Sequence, residues 1–149
     1  MANYQEVRMF QGDVRKWIEA TKDGLGDVVR EFVNAVHAEL VMTSPVDTGR
    51  FRANWQITGD KIPLFALNQY DKDGAASIAE GKRIAGALFP KGRGFAVTTV
   101  YFSNMLIYAN SLEYGHSKQA PAGVLGIVAV KLRTFMADAV KESRKQNGL

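Results

Sequence analysis

The stretch Thr43-Ser44-Pro45-Val46-Asp47-Thr48-Gly49-Arg50-Phe51-Arg52-Ala53-Asn54-Trp55 decides how this chain folds, because it separates a long helical pattern from the first alternating one. Pro45 biases Ser44 towards extended backbone and ends the preceding helix. Asp47 and Thr48 can bond their own backbone, and Gly49 can adopt positive φ, so the reversal has a mechanism. Beyond it, the alternation of Phe51, Ala53, Trp55 and Ile57 with Arg52, Asn54, Gln56 and Thr58 predicts a half-buried strand. Arg50 and Arg52 then point two charges to one side, with Phe51 on the other.

Upstream, Ile18, Leu25, Val29, Phe32, Val36 and Leu40 recur at helical spacing, with Val28, Val33 and Val41 widening the stripe. One helix is predicted from Asp13 or Thr21 to Met42. Thr21 and Asp23 are candidate caps, and Gly24 and Gly26 loosen its first turns. Residues 1–12 show no clean period, and Gly12-Asp13 reads as a boundary, leaving those residues as an arm. His37 lies within the helix, where a lone histidine is ordinarily structural.

Downstream, Gly59 to Pro63 break the strand and residues 63–73 are irregular. Ala75 to Leu88 carry a helical pattern (Ile78, Ile84, Leu88), closed by the basic turn Phe89-Pro90-Lys91-Gly92-Arg93-Gly94. The run Phe95 to Phe102 is β-branched and aromatic, the strongest strand signal in the chain, and the expected partner of residues 51–58. Residues 60–94 thus form an insertion between two strands. Asn104 to Glu113 read as a short helix or an extended segment, and Tyr114 to Pro121 as a loop. From Ala122 or Gly123 to Lys145 a second long amphipathic helix is predicted, with Pro121 in its first turn and Ser117 or Gln119 serving its open amides. Its polar face is positive, as its macrodipole favours late in the helix. The predicted fold is α+β: a long N-terminal helix, a small antiparallel sheet with an inserted helix, and a long C-terminal helix in one domain.

At 149 residues the chain is long enough to bury roughly two thirds of its unfolded surface. Hydrophobic content of 46% and charged content of 23% are ordinary for a globular protein. Cysteine is absent, which excludes disulfides and thiolate metal sites. The first residues lack a signal-peptide core, and no run approaches ~20 apolar residues. The net charge of +4 is unevenly spread. Residues 1–43 hold five Lys/Arg against seven Asp/Glu, and residues 44–149 hold fourteen against eight. A chain polarised in this way suits an acidic partner, nucleic acid included, although its positives form no dense block.

Catalytic signals are thin. Residues 76–82 imitate a phosphate loop, but Arg83 replaces the magnesium-holding hydroxyl and no strand precedes it. Gly92-Arg93-Gly94 leads into a strand, where a dinucleotide fingerprint opens a helix. Two distant histidines without an HExxH motif make a poor zinc site, and Asp71 and Asp73 lack the rest of a calcium loop. A Ser-His-Asp triad is spatial, and no nucleophile elbow supports one. The expectation is a protein that is not an enzyme and uses no cofactor.

A second stretch, Ile107-Tyr108-Ala109-Asn110-Ser111-Leu112-Glu113-Tyr114-Gly115-His116-Ser117-Lys118-Gln119-Ala120-Pro121-Ala122-Gly123, puts aromatic and aliphatic anchors before a loop. "SPVDTGRFRANW" followed by "YANSLEYGHSKQAPAG" and a terminal helix resembles the neck or tail-completion proteins of tailed bacteriophages, a family that includes the lambdoid minor tail protein Z. Pro45, Val46, Asp47, Thr48, Gly49, Arg50, Arg52 and Trp55 fit the family's "PVDTGxLRxSW"-like string, with Phe51 for leucine and Asn54 for serine. Tyr108, Ala109, Leu112, Glu113, Tyr114, Gly115, Pro121 and Gly123 fit its second string.

The resemblance implies a structural, non-catalytic virion protein, assembled in the host cytoplasm into a homo-oligomeric, sixfold ring. That ring would sit at the head–tail joint between the head connector and the tail terminator, with double-stranded DNA passing through it. Contact with that DNA would be non-specific, made to phosphates by surplus Lys and Arg. A basic nucleic-acid-binding accessory role is the alternative. A ring requires two different patches that meet between subunits. Asp47, Thr48, Gly49, Arg50, Arg52, Trp55, Tyr108, Glu113, Tyr114, Gly115, His116 and Pro121 are the candidate interface. Arg50 and Arg52 are then available to a neighbour's acids or to Glu113 of the same chain. The competing reading makes both stretches braces of the fold.

Overall fold

The computed structural model describes residues 4–93 and 95–148, without the side chains of residues 4–7 and 10. The architecture is α+β. In chain order it comprises α1 (Tyr4–Thr43), α2 (Arg50–Ala53), β1 (Trp55–Gly59), α3 (Ala75–Leu88), β2 (Val100–Asn104), α4 (Ala109–Glu113), α5 (Leu125–Val130) and α6 (Leu132–Asn147).

The first helix is longer than its periodicity predicts. It passes through Gly12, Thr21 and Asp23 without a break, for 40 residues in all, or about 60 Å. Thr21 does not cap it; its hydroxyl donates to the Trp17 carbonyl one turn back, at 2.8 Å. The helix ends where the turn chemistry requires. Thr43 and Ser44 donate to the carbonyls of Glu39 and Leu40, both at 2.6 Å, and Pro45 follows.

The first strand is shorter than predicted. Arg50 to Ala53 form a single helical turn, launched by Gly49 at φ 85°, and Arg50 and Arg52 therefore do not flank a strand. Four alternating residues fit a helical turn as well as a strand, so burial alone left the choice open. Strand β1 pairs antiparallel with β2, with Trp55 opposite Asn104 and Ile57 opposite Phe102.

Strand β2 is also trimmed, starting at Val100 rather than Phe95. Asp60, at φ 62°, turns the chain away from the ladder, and its Oδ1 accepts from the amides of Thr98 and Thr99 at 2.9 and 3.0 Å. These amides are satisfied by a carboxylate rather than by a strand, and β propensity has no neighbour to act on. Helix α3 forms over the predicted residues, Ala75–Leu88. It packs tightly on α1, since a Cβ at Gly81 would come within 2.2 Å of His37 Nδ1.

The C-terminal helix starts later than predicted and is broken in two. At Lys131 the amide bonds to Val128 O at 2.9 Å, three residues back instead of four, and α5 gives way to α6. Helix α6 runs antiparallel along α1. Lys131 pairs with Glu39 near one end, and Asn147 Nδ2 donates to Asp27 Oδ2 at 2.9 Å near the other.

Two adjoining clusters make the core. Val36, Leu40, Val41, Phe51, Trp55, Leu106, Ala120, Val124 and Val128 join α1 to both motif stretches. Val33, Ile57, Ala85 and Phe89 join α1 to the sheet and α3.

Candidate functional site

The two stretches singled out in the sequence, some sixty residues apart, meet in space. The carboxamide of Gln119 clasps the backbone of Val46 in both directions. It accepts from Val46 N at 2.8 Å and donates to Val46 O at 2.9 Å, as a neighbouring strand would. Above the clasp lies an open cleft of about 390 Å³ bordered by Asp47, Thr48, Arg50, Tyr108, His116 and Lys118.

Within each stretch the candidate residues divide into those that hold the fold and those that face outward. Gly49 belongs to the first group. At φ 85° a Cβ there would lie 2.6 Å from the backbone of Asp71 and Lys72, so the close approach of these two segments demands glycine. Arg52 is not free for a neighbour's acids. Its guanidinium donates to Lys72 O at 2.6 Å, Met42 O at 3.2 Å and Ser44 O at 3.3 Å. It thereby closes the carbonyl end of α1. Trp55 is buried, donates from Nε1 to Ser44 Oγ at 2.7 Å, and packs edge-on against Phe51 at 5.7 Å.

Glu113 is also a brace. Its Oε2 accepts from the amides of Val124 and Leu125 at 2.9 and 2.8 Å, and its Oε1 accepts from Gly126 N at 2.8 Å. One carboxylate thus serves the open amides of α5, the task expected of Ser117 or Gln119. Burial acts to raise its pKa, but the three amide bonds outweigh that and hold it below the usual carboxylate range. It makes no pair with Arg50 or Arg52. Gly123, at φ 81°, lets the backbone pass the Glu113 carbonyl, where a Cβ would lie 2.3 Å away. Gly115, at φ 85°, faces Pro121 O, 2.5 Å from where its Cβ would stand. Pro121 precedes α5 and lies outside its first turn.

Asp47, Thr48, Tyr114, His116 and Pro121 face solvent, with Tyr114 77% exposed. Tyr108 lies against Phe51, ring centroids 6.4 Å apart, and keeps an outward edge. Arg50 is half-buried, and its Nε has no hydrogen-bond partner. Next to the cleft, Ile107 is 99% exposed.

Several residues that matter here carry no linear signal. Asn54, fully buried, donates to Arg50 O at 2.7 Å and accepts from Leu67 N at 2.6 Å, tying the irregular segment to α2. His37 is buried with Nε2 3.1 Å from Trp55 O. That carbonyl can only accept, so Nε2 carries the proton. Burial lowers the pKa of His37, against a smaller opposite effect of this bond. Among the described residues no group of three or more His, Asp or Glu lies close enough to hold a metal ion, and no helix is long and apolar enough to cross a membrane.

In comparison with known proteins, no family model, no curated sequence and no solved structure matches this chain.

Proposed function

We propose that the chain is a structural, non-catalytic protein of the neck of a tailed bacteriophage, forming part of a ring that joins the tail to the DNA-filled head. The residues around the cleft act as its assembly surface. The observation that carries this reading is the meeting of the two motif stretches across the Val46–Gln119 clasp. It leaves Asp47, Thr48, Arg50, Tyr108 and His116 bordering one cleft, while Gly49, Arg52, Trp55 and Glu113 hold that edge in place. An aromatic with a polar tip beside charged groups is the composition that favours protein–protein contact. Fixed loops with exposed ends cost little further ordering on binding.

Electron microscopy of a lysate in which this gene is interrupted in its parent phage tests the proposal. Filled heads and finished tails lying apart are the expected result. Tailed, infectious particles would overturn it. A salt-sensitive shift of duplex DNA by the purified protein, without any assembly defect, would favour the nucleic-acid-binding alternative instead.

A further inference from the structure

We infer that β2 pairs edge to edge with β2 of a second copy of this chain, joining two small sheets into one of four strands. The inference goes beyond the neck reading. Residues 100–104 border no part of the cleft, and the pairing is a property of the chain before any head or tail is met. The sheet has two strands, so each has an outer edge. That of β1 is closed: Trp55 O accepts from His37, and α3 packs alongside. That of β2 is open. Asp60 N donates to Thr99 O at 2.8 Å, continuing the register that sets Thr58 opposite Tyr101 and Gln56 opposite Ser103. Bonded pairs alternate with non-bonded ones, so Tyr101 and Ser103 turn their main-chain groups to β1. The N–H and C=O groups of Val100, Phe102 and Asn104 therefore point outward, and among the described residues none of these groups has a hydrogen-bond partner.

Proteins ordinarily defend such an edge with a charge, a proline or a bulge. Here the register runs without a bulge, every residue of β2 is partly exposed, and residues 95–112 contain neither a charge nor a proline. Open donors and acceptors at two-residue spacing are matched by the main chain of another strand. Beside the edge lies a groove of about 360 Å³ bordered by Phe102, Met105, Ile107 and Leu125, the last three of them exposed.

The edge is complementary to itself, which makes the occupant a second copy. Val100 and Asn104 lie symmetrically about Phe102. Two β2 strands running antiparallel across a twofold axis set Phe102 opposite Phe102 and Val100 opposite Asn104. Each of these bonded pairs exchanges two hydrogen bonds, so every outward group of the edge is used. With no charge on the strand, no like charges meet. Between the bonded pairs, Tyr101 of one copy faces Ser103 of the other. Both side chains lie on the face turned away from the core, because Phe102 shares its face with buried Ile57. An isolated pair of strands is marginal, whereas four lie in the ordinary range of sheets. The contact is isologous and closes at two copies. The ring proposed above needs a different, heterologous contact, and the cleft remains available for it.

Hydrogen exchange over a concentration series tests this, with single amides resolved by NMR and the oligomeric state by sedimentation. In dilute solution the amides of Val100, Phe102 and Asn104 should exchange near the unprotected rate, while those of Tyr101 and Ser103 are slow. As dimer forms, the first three should slow by at least roughly tenfold. The chain has no cysteine, so Tyr101→Cys and Ser103→Cys read the register under mild oxidation. Mixed, the two variants should form a disulfide-linked heterodimer. Each alone should stay unlinked, because like positions lie about two residues out of register, too far to bridge. Y101K/S103K should keep its circular dichroism and lose roughly tenfold in dimer affinity, and mixing it with Y101E/S103E should restore association. A chain monomeric at every concentration would overturn the pairing, as would a dimer whose outward amides stay unprotected. Linkage of either cysteine variant to itself would overturn the twofold register. Protection that appears only when heads or tails are added would overturn the second copy and give the edge to a strand of another protein. The neck reading is judged separately, by head–tail joining.

Discussion

Residues 43–56 and residues 106–123 meet at one cleft, yet they are held by different physics. The first stretch is part of the core. Phe51, Ala53 and Trp55 are buried, Arg52 closes α1, and Gly49 touches the backbone of the irregular segment. The second hangs from the core by Leu106, Ala120 and Val124. Helix α4 buries none of its residues, and the loop is fixed by one carboxylate and one carboxamide. A continuous string of motif residues is therefore not one functional unit. Its fold-holding and outward-facing members alternate, and substitution separates them.

The largest expected effect is on the first stretch. Trp55→Ala removes an indole from the core together with the bond that Nε1 donates to Ser44 Oγ, and should cost about 3–5 kcal/mol of unfolding free energy, read by urea denaturation. A loss below about 1 kcal/mol would mean that the first stretch is no better anchored than the second. Next comes Glu113→Ala, which leaves three α5 amides open and should cost about 1–2 kcal/mol. Hydrogen exchange should quicken at Val124, Leu125 and Gly126 while the amides around Trp55 keep their protection. Equal acceleration in both places would erase the distinction between the two regions.

Acid should loosen the two regions in sequence. His37, which bonds to Trp55 O, has its pKa lowered by burial. The unfolded chain therefore takes up that proton first, and the stability due to a neutral His37 is full above the ordinary imidazole value and drains as pH falls below it. Glu113 has its pKa lowered by amide bonds. Its contribution is likewise full above the ordinary carboxylate range, and is lost as pH falls through the lower folded-state value. A pH series of hydrogen exchange should show the His37–Trp55 contact weakening in mild acid, and the α5 cap only in stronger acid. In Glu113→Gln the second step should vanish and the first remain.

The sequence made the architecture legible where burial has a period. The core half of α1, all of α3 and the antiparallel pairing of the two strands are written in repeating apolar positions. Element ends were less legible because single side chains set them. Asp60 takes the amides of Thr98 and Thr99 and so shortens β2; a positive φ at Gly49 converts the start of a strand into α2. The break at Lys131 has no glycine or proline to announce it. Residues 1–12 were read as patternless because Gly12 interrupts them and no apolar period precedes it, yet α1 runs through them from Tyr4. At the site, the motif letters located both stretches but not their partners. The Gln119 clasp and the Glu113 cap join side chains to backbone across loops, and backbone partners leave no trace in the sequence.

The smallest expected effect on stability is the sharpest for function. Arg50 and Arg52 sit two residues apart in one motif and read alike in the sequence. Arg52→Ala strips three carbonyls of a charged donor and should cost about 1–3 kcal/mol, with loosening at the end of α1. Arg50→Ala removes a half-buried guanidinium whose Nε has no partner, and should leave stability within about 0.5 kcal/mol of wild type. If the cleft is an assembly surface, Arg50→Ala should nonetheless lower the yield of joined particles in a complementation assay, because Arg50, unlike Arg52, borders the cleft and is placed to meet a neighbour's acceptor. Arg52→Ala should lower it only as far as it lowers the amount of folded protein. Full joining by Arg50→Ala would take that side chain out of the interface and leave the cleft to Asp47, Tyr108 and His116. Severe unfolding of Arg50→Ala would instead make both arginines braces, and the first stretch would then have Asp47 and Thr48 alone to offer a partner.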